Sequence, residues 1–466
     1  MTGFKPPLPE GPKGSGARAK IAAYLHSGIS LFKPSAYSFS GISRQKVPKL
    51  PLTADKENVS VRDPAAIREM LVKRPLDFPK GRLIDGMLRK LTGYSIFISN
   101  GEAWQRQRRI VDQAFTHAGV RAVFPLMQKA AESCLQRLHQ LTESEVDVDI
   151  EMTHFAGDVI FRTIYSEPMN AEQARTIFSA FDVFQEIAFR QGMVGVFGLP
   201  ISLLPSNIKA GRMAKIIRGE LNKPLARRMD AVAAGQDVPD NDILSSLMTA
   251  SDPETGTRFE GSELLDQIAM LFLAGHETSA AALGWTLYLL AHDQDAQTAL
   301  REEAEAVLGD RSPEFSDVKK LDRTRNVFRE SMRLYPPVAF LSRDVRQDDQ
   351  LKDTSLPQGS AAVIPAWLMH RHEGHWKDPH TFDAERFAKP ENKDAIRDAY
   401  LPFSMGARVC VGAAFALQEA TIILAQIARE FQIDPVPDHT PEPVSRLTVR
   451  SANGIKLKLT ALNPES

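Results

Sequence analysis

The chain has 466 residues, a formal net charge of -1 and two cysteines, Cys134 and Cys410. Near-neutrality argues against a nucleic-acid binder, and two thiols exclude a disulfide framework as the basis of the fold, which suits a reducing cytoplasm. The length would allow about three average domains, yet no internal linker divides it, so one domain over 1–466 is expected.

Residues 1–20 are rich in Pro, Gly and Lys, with no apolar run of signal-peptide or anchor length, so no membrane anchor is expected. A short strand is predicted over 37–40. Apolar residues at three- and four-residue intervals predict helices over 65–73, 102–115, 120–141, 150–165, 171–190 and 208–234. The polar stretch 233–241 reads as a surface loop. The next helix, 261–292, holds the longest apolar tract. Gly275-His276-Glu277-Thr278-Ser279 interrupts that tract, which favours a central core helix over a membrane span. Helices follow over 296–308, 321–334 (stopped by Pro336 and Pro337) and 413–431. Short β-branched or alternating pieces at 338–345, 361–364, 444–449 and 455–460 read as small edge sheets. The fold class is mainly α with small β-sheets.

The most informative segment is Phe403-Ser-Met-Gly406-Ala-Arg408-Val-Cys410-Val-Gly412. A lone thiolate is a strong, soft ligand for iron, and a nearby cation and a helix N-terminus both favour deprotonation. Gly406 and Gly412 allow a sharp turn and close approach to something flat. The segment resembles the haem-binding signature Phe-x-x-Gly-x-Arg-x-Cys-x-Gly of the cytochrome P-450 family at every defined position. That resemblance implies haem b with Cys410 as its axial thiolate, a single large helical domain, and haem lying between a kinked central helix and the Cys-loop helix. The missing anchor makes the chain similar to the soluble prokaryotic type.

Ala274-Gly275-His276-Glu277-Thr278 is similar to the family's oxygen-activating kink. From the residues alone, Thr278 can bond back to a carbonyl one turn earlier and loosen the helix, although a packing glycine or a solvated patch would also fit. The resemblance gives Thr278 the stabilisation of activated oxygen and Glu277 a proton relay from solvent. Glu330 and Arg333 are three apart on one helical face and able to pair. With Arg386 they resemble the family's bracing triad, a structural role, though Ala384 stands where many members have proline. Arg108, Arg408 and Arg343 are the expected haem propionate partners, with Trp104 one turn before Arg108; Phe403, Gly412 and Ala274 complete the cofactor contacts. His370-Arg-His372-Glu373-Gly-His375 has the wrong spacing for a helical zinc site.

By the same resemblance the substrate pocket is lined by Ile96, Phe97, Ile98, Leu271, Ala274, Val338, Ala339, Phe340, Leu341 and Leu447. Phe181, Phe184, Ile187 and Phe189, with Val194, Val196 and Phe197, would form a lid. These residues predict an apolar ligand: an acyl chain, terpenoid or aromatic. The implied activity is insertion of one oxygen atom of O2, with electrons from a separate ferredoxin or flavoprotein docking near Arg106 and Arg109. A peroxide-driven peroxygenase of the same family, or a haem sensor or carrier without turnover, are the alternatives.

Overall fold

A computed structural model describes residues 3–9, 41–46, 57–142, 144–196 and 204–462. The helices are α1 (Pro64–Arg68), α2 (Arg82–Thr92), α3 (Gly101–Ala114), α4 (His117–Gln140), α5 (Val148–Tyr165), α6 (Ala171–Val196), α7 (Ser206–Ala233) and α8 (Ile243–Thr249). They continue with α9 (Ser262–Ala291), α10 (Gln294–Leu308), α11 (Asp322–Leu334), α12 (Ala366–Met369), α13 (Lys393–Ala399) and α14 (Ala413–Glu430). The strands are β1 (Ile42–Lys46), β2 (Glu57–Val61), β3 (Glu145–Asp147), β4 (Leu341–Asp344), β5 (Asp349–Leu351) and β6 (Thr354–Leu356). After them come β7 (Ala361–Ile364), β8 (Phe431–Pro435), β9 (Pro443–Ser445), β10 (Val449–Ser451) and β11 (Lys456–Ala461).

Local chemistry sets many boundaries. Thr116 caps α4 by accepting from the Gly119 N–H, Asp242 caps α8 from Ser245, and Asp293 caps α10 from Ala296. α11 stops just before Tyr335-Pro336-Pro337, as those prolines require. The central helix α9 is buried around almost its whole circumference from Ile268 onward, which is the pattern of a core helix. α5 packs along it, and at Gly275 a Cβ would meet Ile160 Cδ1 at 3.0 Å. Among the described residues no helix is long and apolar enough to cross a membrane.

One sheet has the order β1-β2-β7-β4, with β2 and β7 parallel and the outer pairs antiparallel. A second, β3-β11-β8, ties the chain's C-terminal end to the start of α5. The strand expected over 444–449 is a hairpin instead, β9 paired with β10 across a turn where the Arg446 N–H donates to the Thr448 carbonyl at 2.9 Å. The helix expected to end at Phe431 gives way there to β8, whose Phe431 and Ile433 alternate inward. α2 and α8 were not expected, although Leu83, Ile84, Met87, Leu88 and Leu91 of α2 carry the helical period. The strand expected over 37–40 lies outside the described residues.

Candidate active site

Cys410 lies between a short 3-10 turn, Gly406–Arg408, and the start of α14. Its N–H donates to the Phe403 carbonyl at 2.9 Å, closing the loop on itself. Gly406 has φ +73°, and a Cβ there would meet the Leu71 carbonyl oxygen at 1.9 Å, so both conformation and contact demand glycine. Gly412 differs from the expectation: its φ is −86°, and a Cβ would meet only the Cys410 Sγ, at 4.0 Å. Neither the turn nor the packing among the described residues requires glycine there. Burial pushes the Cys410 thiol up, opposed by the Gly412 N–H and by Arg108 and Lys80. Yet the side chain is accessible. The thiol is thus surrounded by protein and still reachable from one side.

The opposite signature appears on α9. Within its buried middle, Ala274, Gly275 and Thr278 keep access, and Ala274 and Thr278 are one turn apart. Phe97, Val338, Phe340 and Leu447 also keep access, whereas Ile96, Ile98, Leu271 and Ala339 are buried. Of the expected lid, Phe181, Phe184 and Phe189 are buried on α6; the Val194 and Val196 side chains and all of Phe197 lie outside the described residues.

Thr278 Oγ1 donates to the Ala274 carbonyl at 2.6 Å, the expected back-bond, while the helix runs unbroken past it. Glu277 points elsewhere. It is buried and accepts from Arg450 Nε at 3.1 Å and Nη2 at 2.9 Å, and from Thr448 Oγ1 at 2.7 Å. Burial alone would raise its pKa, but Arg450 and its other partners hold it below the ordinary range. Arg450 also bridges to Asp149 Oδ1 at 2.6 Å. His276 is buried in a cage of Phe178, Phe181 and Phe272, and burial lowers its pKa to about 4.

Arg108 spans from α3 to the Cys loop, donating to the Val409 carbonyl at 2.7 Å and to Asp112 Oδ1 at 2.7 Å. Arg408 stacks on the Trp104 ring at 4.2 Å and donates to the Ser99 carbonyl and Asn100 Oδ1, each at 2.9 Å. Arg343 is buried on β4. Burial is the cause that lowers the Arg343 pKa to about 10. Burial, then Arg343 and Arg108, lowers Arg408 to about 9.

A fourth cation was missed. The backbone of Lys80 bridges to that of Arg343, and its ammonium lies 4.0 Å from the Phe97 ring centroid. Burial, then Arg343 and Arg408, holds Lys80 well below the usual lysine range. Asp77-Phe78-Pro79-Lys80 has no motif; Lys80 is brought in by that bridge and by its backbone N–H donating to Asn100 Oδ1 at 2.9 Å. By contrast, Arg106 is committed to Glu263 at 2.7 Å and Arg109 to Asp252 at 2.5 Å, which leaves neither as a free docking charge.

The expected triad is assembled. Arg333 forks onto Glu330 at 2.7 and 2.8 Å, and Arg386 Nε reaches the same carboxylate at 3.0 Å. Their remaining N–H groups go to carbonyls of His370, Pro379, Lys377 and Asp378. His370 is fully buried, its Nε2 accepting from the Leu401 N–H at 2.7 Å.

A sequence profile of the cytochrome P-450 family matches residues 52–459. The chain belongs to the cytochrome P-450 family. Cyclooctatin synthase of Streptomyces melanosporofaciens is 31% identical over 387 residues, 83% of each chain. Pentalenene oxygenase of Streptomyces avermitilis is 29% identical over 406 residues, covering 86% of this chain and 87% of its own. Cytokinin hydroxylase of Arabidopsis thaliana is 30% identical over 404 residues, covering 85% and 77%. Membership makes this P-450 a monooxygenase whose cofactor is haem b on an axial cysteine thiolate. Its residues fit that group. Lys80, Arg343 and Arg408 crowd together, each with its charge disfavoured by burial, and no carboxylate is bonded to them among the described residues. Buried cations without a counter-charge are costly, and a dianionic ligand edge would supply it.

Proposed function

We propose that this P-450 hydroxylates or epoxidises an apolar terpenoid-sized substrate, using O2 and electrons from a separate ferredoxin or flavoprotein, as a single domain over 1–466. The observation that carries this is the set of apolar side chains that keep access in the segments expected to face the cofactor. Phe97, Ala274, Val338, Phe340 and Leu447 keep access, as do Thr278 and Cys410, and together they would line the substrate pocket. Such a lining favours carbon skeletons over sugars or nucleotides. Relatives named for pentalenene and for 11-oxo-beta-amyrin support the terpenoid choice within the apolar range.

Bound haem supplies oxygen activation. Cys410 Sγ would ligate its iron, and Lys80, Arg343, Arg408 and Arg108 would neutralise its carboxylates, with Trp104 and Phe403 as further contacts. Thr278 Oγ1, already satisfied by Ala274, can turn to hold a proton over the pocket. For Glu277 to relay protons as its motif suggests, its carboxylate must first leave Arg450. The test is a titration of terpenes, fatty acids and aromatics against the haem-loaded protein, read at the Soret band. Terpenes should give the largest high-spin shift and a hydroxylated or epoxidised product; a response confined to polar ligands would overturn the reading. Cys410→Ser should abolish the carbon-monoxide band of a thiolate-ligated haem, and its retention would displace Cys410.

A further inference from the structure

Two buried acids stand beside Thr278, and they face different partners. Glu277 precedes it on α9 and is gripped by Arg450 and Thr448. Glu419 reaches in from α14, is equally buried, and accepts from the hydroxyl of Ser279, the residue that follows Thr278. Ser279 is itself buried.

The elements packed on α14 bring charges, but these are spent elsewhere. Glu330 and Arg333 of α11 engage each other. Arg301 of α10 donates to the Ala428 carbonyl, at the far end of α14. Arg137 of α4 pairs with Glu151, and His139 just beyond it pairs with Glu430. Glu277 of α9 is held by Arg450. None contributes to the charge state of Glu419, which is set by burial and opposed only by Ser279. A buried carboxylate without a counter-ion is strongly disfavoured, so the neutral acid is the stable form. Its pKa is accordingly raised to about 8. At neutral pH, then, Glu277 is an ionised acceptor and Glu419 an acid with a proton to give.

From this arrangement we infer that Glu419, acting through Ser279, is an internal proton store for the turn of α9 that carries Thr278. In use, the Ser279 hydroxyl turns to accept the Glu419 proton and releases its own towards the Thr278 side. The carboxylate left behind takes one proton back from solvent, so each delivery is balanced by one uptake. The oxygen and electrons are those of the monooxygenase reaction, on which the use of the store rests. Glu419 is on this account a positioning residue for the proton rather than a group that touches substrate.

Two variants test it, Glu419→Gln and Ser279→Ala. Glu419→Gln keeps the shape and a hydrogen-bonding partner for Ser279 but has no proton to donate. Infrared spectroscopy of the haem-loaded wild type at neutral pH should show the carbonyl stretch of a protonated buried carboxylic acid. That band should be absent in Glu419→Gln and fade as pH is raised through about 8. A wild-type spectrum without it overturns the inference, whatever the substrate proves to be.

During turnover, both variants should keep the carbon-monoxide thiolate band while the share of electrons recovered in product falls about tenfold, with a larger solvent isotope effect and more hydrogen peroxide released. Coupling and isotope effect equal to wild type in both variants overturn it as well. A wild type that binds and oxidises no terpene is a failure of the substrate reading, visible before any variant is compared.

Discussion

A carboxyl facing a serine and a carboxyl facing an arginine, both buried beside Thr278, must respond to pH in opposite directions. Glu419 is raised from 4.5 to about 8, so the native state binds a proton that the unfolded chain has released. Its contribution is fully present below about pH 4.5, and it is lost as pH rises through about 8. Thermal midpoints followed from about pH 5 to about pH 9 should therefore fall more for wild type than for Glu419→Gln. Parallel curves would count against a protonated Glu419. Glu277 has the opposite sign: its depressed pKa makes its contribution present above the unfolded value and lost on acidification. Arg450 is the group that holds it there, and it also serves Asp149. Arg450→Met would strand the buried Glu277 and the half-buried Asp149, and a loss of roughly 3–5 kcal/mol is expected in urea unfolding. A loss under about 1 kcal/mol would mean that the pair behaves like a surface bridge.

Between elements, two glycines in two conserved-looking motifs turn out to do different work. Gly406 is required by a left-handed turn pressed against the Leu71 carbonyl, a backbone neighbour that cannot yield. Gly275, in the motif associated with oxygen activation, is also a helix-packing glycine: the Ile160 side chain of α5 lies against it. Gly275→Ala should cost about 1–3 kcal/mol by overpacking. Adding Ile160→Ala should recover part of that loss, because the crowding atoms are the side chain's own. A double variant no better than the sum of the two singles would place the strain elsewhere.

The same contrast shows what the sequence could convey. Helix spans such as α9, α11 and α14 were legible to within a residue or two, because apolar periodicity, Pro336-Pro337 and the Cys-loop glycines are local signals. The Cys loop, the Glu330–Arg333 pair and the Thr278 back-bond were legible for the same reason, whereas Arg386 was placed beside Glu330 only by the family resemblance. Arg450 on Glu277 and Ser279 on Glu419 were not, since each joins residues far apart in the chain whose spacing carries no period. Arg106 and Arg109 looked free because the acids that bind them, Glu263 and Asp252, lie well downstream.

Across the whole molecule, the four-cation cluster predicts a coupling between folding and cofactor loading. Lys80 comes from the loop before α2, Arg108 from α3, Arg343 from β4 and Arg408 from the Cys loop, so segments from both ends of the sequence meet there. Packing them together disfavours the charge on Lys80, Arg343 and Arg408, and the protein bears that cost until an anionic partner arrives. Two consequences of opposite sign follow from Lys80→Met. In the haem-free protein the substitution removes a half-buried cation repelled by Arg343 and Arg408, which should raise the unfolding midpoint. In the haem-loaded protein it removes a counter-charge, which should weaken haem retention. The gap in thermal midpoint between loaded and free protein, the linkage measure of cofactor binding, should therefore narrow from both sides. Calorimetry of the four samples decides it. A variant whose free form is less stable than wild type, with an unchanged gap, would make Lys80 a packing residue over Phe97 and remove it from the cofactor's charge partners.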